Sequence, residues 1–357
     1  MTDPLPAVDL DRIVRLDDFE PLARARMAEP AFDYVAGGAW DEISLREAPE
    51  AWSRRRFVPR VLRDVRSVDL GGTFLGRAFA QPVAMAPMAA QGLGHPDGEV
   101  EAARGAAAAG IPFCLSTSSS RSLEDVAAAT PDAERWFQLY LVHGLDWSRS
   151  LVERAAATGY RAIVLTVDLP VLGYRERDRR SGFALPRMPH IDEATSAPRS
   201  RYGGLEQQHE LGLGWQTVEA IRGWSDLPLV LKGILSPDDA RIAVEAGVDG
   251  IVVSTHGARQ LDRVVATPDA LPGIVDAVAG RCEVWADGGI RRGLDVVTAF
   301  ALGATGVLVG RPLYWALAAA GAAGIERAVT ILREELELAL TLLGVPRLGE
   351  LDRSFLA

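Results

Sequence analysis

Four times along the chain, a stretch with helical spacing of apolar residues ends in glycine and gives way to a short β-branched run. The four glycines are Gly110 (before IPFCLS), Gly159 (before YRAIVLT), Gly247 (before VDGIVVS) and Gly303 (before ATGVLVG). Glycine suits the left-handed position that closes a helix, and a short, wholly apolar run after it reads as a parallel strand buried on both faces. The helix over Pro237 to Glu245 carries its own punctuation. Ser236 stands as N-cap, Pro237 opens the first turn, acids fill that turn, and Gly247 lies beyond the end. Extending from these anchors predicts eight strands: Pro82–Pro87, Phe113–Ser116, Trp136–Leu141, Ala162–Asp168, Leu227–Gly233, Gly250–Thr255, Glu283–Gly289 and Gly306–Arg311. Helical patterns separate them. Eight strand–helix units in about 260 residues is the rhythm of an α/β protein built as a (β/α)₈ barrel. A doubly wound open sheet is the alternative, but no GxGxxG follows the first strand.

Two segments lie outside that repeat. Residues 1–81 read as helices and then a hairpin around Val68–Ala78, expected to turn at Gly71-Gly72 and to pack with the helices on the barrel. Residues 82–343 would form the barrel, and 344–357 a C-terminal tail. The second is the Leu169–Gly214 connection after the fourth strand, rich in Arg, Pro and Gly. A loop of that length is usually functional or mobile, and here it should lie over the barrel mouth.

Composition narrows the function classes. With 48% hydrophobic and 24% charged residues the chain can build a large core, which excludes a disordered acidic protein. A net charge of −10 argues against a nucleic-acid binder. Two cysteines, Cys114 and Cys282, make neither a disulfide scaffold nor a cysteine-rich zinc site, and are expected to be buried thiols in a reducing compartment. The start, MTDPLPAVDL, lacks the pattern of a secretory signal. The apolar run Leu313 to Ile325 is shorter than the roughly 18 residues of a membrane span. The expectation is a cytoplasmic protein without a membrane partner.

Barrel chemistry collects at the C-terminal ends of the strands. There the sequence places Asp168 after strand four, Lys232-Gly233 at the end of strand five and Ser254-Thr255-His256-Gly257 after strand six. Asp287-Gly288-Gly289 follows strand seven, and Gly310-Arg311 strand eight. A neutral imidazole held by a carboxylate is a general base near pH 7, so His256 and Asp168 are candidates for that pair. Arg259 could hold a substrate carboxylate in bidentate fashion. Lys232 could stabilise negative charge on a ligand ring. Gly288, Gly289 and Gly310, with Arg291 and Arg311, match the phosphate site of such barrels. A phosphorylated ring cofactor and a carboxylate-bearing substrate would account for all of these groups.

The motifs STHGARQLD (Ser254–Asp262), LKG (Leu231–Gly233), DGGIRRG (Asp287–Gly293), VGRP (Val309–Pro312), FQLY (Phe137–Tyr140) and FDYVAGG (Phe32–Gly38) resemble those of the FMN-dependent 2-hydroxy acid oxidoreductases. That group includes glycolate oxidase, lactate oxidase, mandelate dehydrogenase and 4-hydroxymandelate oxidase, and the resemblance runs from about Phe32 to Leu343.

The resemblance implies FMN as cofactor and a small (S)-2-hydroxy acid, oxidised to the 2-oxo acid, as substrate. It makes His256 the base and Asp168 its partner. Arg259 and Arg175 would grip the substrate carboxylate with help from Tyr34, and Tyr140 would bond the substrate oxygen. Pro87, Met88 and Ala89 would pass along the flavin ring, and Ser116, Gln138 and Thr166 would bond its polar edge. Lys232 would lie by N1, and Ser254 would face the ribityl chain. Asp287, Gly289, Arg291, Gly310 and Arg311 would hold the ribityl chain and phosphate. Whether His256 takes the hydroxyl proton or the Cα proton stays open.

Three departures from the family pattern bear on substrate and location. Thr255 replaces the usual Asn before the histidine, a small polar change that implies a local adjustment. Ser118 stands where glycolate oxidases have tryptophan, which predicts a roomier, mandelate-like pocket. The Leu169–Gly214 loop lacks the apolar run of membrane-attached mandelate dehydrogenases. Oxygen is the expected electron acceptor, because no stretch resembles a haem domain or an anchor. A homotetramer is expected by resemblance, with the Ala-rich Leu317–Ala323 segment available for packing between subunits. Two other readings share the phosphate end. A type 2 isopentenyl diphosphate isomerase would lack the paired arginines, and a non-enzymatic barrel binding a phosphorylated metabolite would leave His256 and Asp168 idle.

Overall fold

A computed structural model of the protein describes residues 6–192 and 214–357. Three helices come first, α1 (Phe19–Arg26), α2 (Glu29–Ala36) and α3 (Ile43–Ser53), then a hairpin of β1 (Gly72–Phe74) and β2 (Arg77–Phe79). The next strands are β3 (Val83–Met85), β4 (Phe113–Ser116), β5 (Arg135–Leu139), β6 (Ile163–Thr166), β7 (Leu229–Ile234), β8 (Gly250–Val253), β9 (Glu283–Ala286) and β10 (Gly306–Val309). Around them lie α4 (Glu99–Ala108), α5 (Leu123–Ala129), α6 (Leu145–Ala157), α7 (Glu176–Ser181), α8 (Pro189–Asp192) and α9 (Trp215–Arg222). The last four helices are α10 (Pro237–Glu245), α11 (Thr267–Val278), α12 (Gly293–Ala301) and α13 (Arg311–Leu343).

Strands β3 to β10 pair in chain order, all parallel, and β10 closes on β3 with Val309 opposite Met85. This is the (β/α)₈ barrel that the repeat predicts, with all eight strands in the expected places. The four helix-ending glycines all adopt positive φ, and the Ser236 side chain caps α10 through the Asp238 and Asp239 N–H groups. Most strands stop a residue or two short of the predicted ends, because the residues at the rim leave the ladder to face the mouth.

The hairpin differs from expectation. Gly72 pairs with Phe79 inside it, and the chain turns at Leu75-Gly76, both with positive φ as a tight two-residue turn requires. Its Phe74 enters the N-terminal end of the barrel. There it packs edge-on against Trp136 and Trp285, which stack with ring centroids 5.0 Å apart. A Cβ on Gly306 would lie 2.4 Å from the Phe74 ring, so the floor has no spare room. Cys114 is buried inside the barrel, where loss of solvent pushes its thiol pKa up; Cys282 is only half-buried, and burial pushes it up to about 11.

The long apolar helix α13 runs beyond the predicted segment to Leu343, with a break at Ala320-Gly321. By length and composition it could cross a membrane, but it packs on α4, α1 and α12 as a core helix. Leu317, Ala318 and Ala319 are buried within the chain itself, so the segment expected to serve a subunit contact is largely used internally. Residues 344–357 turn back on the extension, with Phe355 O accepting from Val58 N–H. The connection after β6 holds the short helices α7 and α8 up to Asp192; the remainder of the predicted Leu169–Gly214 loop, 193–213, lies outside the described residues.

Candidate active site

The register of β6, β7 and β8 decides which side chains meet. Thr166 lies opposite Lys232, and β7 carries a bulge at Gly233 before Ile234 pairs with Val253. Gly233 has φ +111°, and a Cβ there would sit 2.5 Å from Cγ of Asp168. The bulge therefore makes the hollow that holds the Asp168 carboxylate. We expect Gly233→Ala to cost about 1–3 kcal/mol from backbone strain alone and to displace Asp168. Thermal melting and turnover should both fall; a variant with unchanged turnover would show that the hollow is not needed.

Asp168 Oδ1 lies 2.8 Å from Nδ1 of His256. That hydrogen bond fixes the tautomer with Nδ1 as donor and leaves Nε2 as acceptor, 3.4 Å from the Tyr140 hydroxyl. Burial holds the His256 pKa below the ordinary histidine value; the Asp168 charge opposes this but does not overcome it. Burial resists ionisation of Asp168 as well. His256 and Lys232 outweigh it there, so the carboxyl stays below its usual range. The result is a neutral imidazole beside a carboxylate, ready to accept a proton. Its backbone is constrained: His256, Gly257 and Ala258 all have positive φ. The turn is pinned by His256 N–H on Ser254 Oγ, Arg311 on Gly257 O, and Ala39 N–H on Ala258 O.

Arg175, Arg259, Arg291 and Arg311 all line one cavity of about 1090 Å³ of empty space, part of it open to solvent. Burial and the neighbouring Arg259 pull the Arg175 guanidinium down to about 10, and burial with three arginine neighbours holds Arg311 well below its ordinary value. Four cations crowded in a partly dry space mark it as a place for anions. Arg259 is partly engaged, its Nη1 donating to Tyr34 O and Gly37 O at the end of α2. Arg175 donates through Nε to Arg259 O and through Nη2 to Gln260, while Nη1 makes no hydrogen bond among the described residues. Tyr34, stacked on Phe183 at 4.8 Å, forms the adjoining wall.

On the far side Lys232 and Asp287 form a buried ion pair at 3.0 Å. Burial opposes the Lys232 charge, but Asp287 and Asp168 raise its pKa, so it stays an ammonium. Asp287 Oδ1 is buried without a partner, which is costly unless a ligand hydroxyl donates to it. Beyond it lie Gly289, Arg291, Gly310 and Arg311, the last two at the start of α13, where two guanidinium groups and bare glycine backbone line the cavity end. Helix α3 supports this corner. Trp52 Nε1–H donates to Gly288 O, and the Ala48 carbonyl would be 2.4 Å from any Cβ on Gly289.

The sequence-derived candidates divide into two layers. Pro87, Met88, Ala89, Ser118 and Thr166 line the cavity, as does Tyr140. Ser116, Gln138 and Ser254 do not. Ser116 donates to Gln138 Oε1, and Gln138 Nε2 donates to Thr166 Oγ1, so both sit behind Thr166 and orient it. Ser254 Oγ accepts from Lys232 Nζ at 2.8 Å and from His256 N–H, joining the two. Leu169 and Leu172, from the loop after β6, add apolar wall that sequence reasoning passed over. Buried His190 was passed over too: its Nε2 accepts from Leu123 N–H and its Nδ1 bonds Thr117 O, tying α8 to the loop that carries Ser118. Only a knowledge of which loops touch could have marked it.

A barrel with an anion corner, a free carboxylate oxygen midway and a histidine–aspartate pair by two arginines defines a redox-cofactor enzyme acting on a carboxylate-bearing substrate. The family model for FMN-dependent dehydrogenases matches residues 23–357, and the chain belongs to that family. It is 46% identical to L-lactate oxidase of Nostoc sp., over 96% of this chain and 98% of that protein. It is likewise 46% identical to 4-hydroxymandelate oxidase of Amycolatopsis orientalis, over 95% and 97%. A solved structure of mandelate oxidase with (S)-4-hydroxymandelic acid superimposes with a TM-score of 0.90 at 46% identity, covering 94% of this chain and 97% of that one. FMN fits the donor set: the arginine–glycine corner would hold its phosphate, Asp287 Oδ1 would accept from a ribityl hydroxyl, and Lys232 and Thr166 would meet the ring edge.

Proposed function

We propose that the protein oxidises (S)-2-hydroxy acids with a bulky, aryl-type side chain to 2-oxo acids and passes the electrons to oxygen. The observation that carries the reading is the acceptor nitrogen of His256, oriented by Asp168 and facing Tyr140, in the same cavity as Arg175 and Arg259. FMN, when bound, supplies the two-electron acceptor. The two arginines hold the substrate carboxylate, and the Tyr140 hydroxyl bonds the substrate hydroxyl oxygen. His256 Nε2 takes the hydroxyl proton, and Asp168 steadies the imidazolium that results. The paired arginines and the partnered histidine support this chemistry over an isomerase or a binding-only barrel.

The size preference rests on Ser118. Its hydroxyl is buried at the cavity wall without a partner, and Leu169 and Leu172 offer apolar surface. The test is the anaerobic visible spectrum of the holoenzyme mixed with (S)-mandelate, lactate or glycolate. Mandelate should bleach the flavin band fastest, and clear preference for glycolate would overturn the size argument. Ser118→Trp should lower kcat/KM for mandelate by roughly 10- to 100-fold while sparing glycolate.

A further inference from the structure

Gln260 follows Arg259, is buried, and does not line the cavity. Its carboxamide nevertheless makes four hydrogen bonds. Nε2 donates to Asp168 O at 3.2 Å and Val171 O at 2.8 Å. Oε1 accepts from Gly173 N–H at 3.1 Å and from Arg175 Nη2 at 3.3 Å. Two donors and two lone-pair sites are all that an amide has, so the group is saturated. Every partner lies on the segment from Asp168 to Arg175. That segment is pressed flat against the β8 loop: a Cβ on Gly173 would come within 2.3 Å of Arg259 O and 2.6 Å of Gln260 O.

We propose that Gln260 is a positioning residue that locks the β6 loop to the β8 loop, setting Asp168 against His256 and aiming Arg175 at the substrate carboxylate. The inference builds on the 2-hydroxy acid reading above. One side chain thereby couples the group that steadies the base to the group that captures the substrate. The amide is chemically specific for this task. A carboxylate at 260 would lose both donated bonds, turn an acceptor toward two carbonyls, and place its charge on Arg175 in competition with the substrate. A leucine would keep most of the volume and lose all four bonds.

The experiment uses FMN-loaded wild type, Gln260→Glu and Gln260→Leu. Dissociation constants for benzoylformate and for the neutral amide 2-hydroxy-phenylacetamide are read from the change each makes in the flavin absorbance. Mandelate KM and kcat are measured alongside. In Gln260→Glu, benzoylformate binding and mandelate KM should worsen by about 10- to 100-fold, because a displaced Arg175 loses the bound geometry. Binding of the amide should change far less, and kcat should fall less than KM rises. Gln260→Leu should lower kcat as well, since Asp168 is released together with Arg175. Wild-type acid-to-amide selectivity in both variants would overturn the inference, and so would equal losses for acid and amide. If Gln260→Leu does not fold, Gln260→Glu, which keeps the side-chain size, decides alone. A wild-type holoenzyme that no 2-hydroxy acid bleaches would overturn the functional reading and this inference together; a reactive wild type with unselective variants overturns the inference alone.

Discussion

Alanine in place of His256 is expected to leave FMN bound and to slow bleaching of the flavin by a 2-hydroxy acid about 10²- to 10⁴-fold, the span of a lost general base. The proposed cofactor contacts should survive, because none of Lys232, Asp287, Arg291 and Arg311 hydrogen-bonds the imidazole ring. Stopped-flow absorbance gives the rate, and an unchanged rate would remove His256 from the chemistry. The wild-type pH profile follows from the groups that face the ring: Asp168, Tyr140, Lys232 and Arg175. The base works when neutral, and burial keeps its pKa below the ordinary value of about 6.5. The acid limb of kcat/KM should therefore fall below about pH 6.5, with a plateau above it, and this limb should be missing from His256→Ala. Stability moves in the same direction. Unfolded His256 takes up a proton near its ordinary pKa while the folded residue resists, so its contribution is full above that value and is lost as pH falls from there through the lower folded value.

Lys232→Met is expected to cost about 3–5 kcal/mol of stability, because it leaves the Asp287 carboxylate buried and uncompensated. Lys232 and Asp287 are 6% and 7% exposed at the side chain, so water cannot replace the lost partner. Ser254 loses its donor as well, and through it the support of the His256 backbone N–H. Thermal denaturation of the apoprotein measures the loss; a melting temperature equal to wild type would refute the argument. Adding Asp287→Leu should recover much of the stability, since a buried pair is often no better than apolar residues of similar volume. Flavin binding should not recover, because both the ammonium and the free Oδ1 are gone. The double variant thus separates what the pair does for the fold from what it does for the ligand.

The barrel was legible because each of its signals is local. Helix-ending glycines, Ser236 with Pro237, and short β-branched runs are contained in a dozen residues or fewer, and all eight strands followed from them. The hairpin turn was misplaced because Gly71-Gly72 is the more obvious turn pair, whereas the true turn puts Leu75 at a positive φ that leucine seldom adopts. The outer shell of the site was legible from motifs at strand ends. Which residues line the cavity and which stand behind them was not. Ser116, Gln138 and Thr166 form their chain only because β4 sets Ser116 opposite Gln138 and β6 carries Thr166 two residues past Val164, the partner of Gln138, and register is set by the closed barrel. Gln260 lay inside a quoted motif without a role, since all its partners come from another loop.

Phe74 has a consequence for how the chain reaches this state. It precedes every barrel strand, yet its neighbours include Trp285 on β9 and Gly306 on β10, near the end of the chain. The floor cannot be laid until the last strand has arrived. During synthesis the hairpin must wait with its aromatic ring unsheltered, and a half-made barrel has neither a finished bottom nor a closed seam. Long-range closure of this kind slows folding and ties the two ends into one cooperative event. The protein should therefore tolerate being split or circularly rearranged at its helical periphery far better than any division that parts the hairpin from β9 and β10.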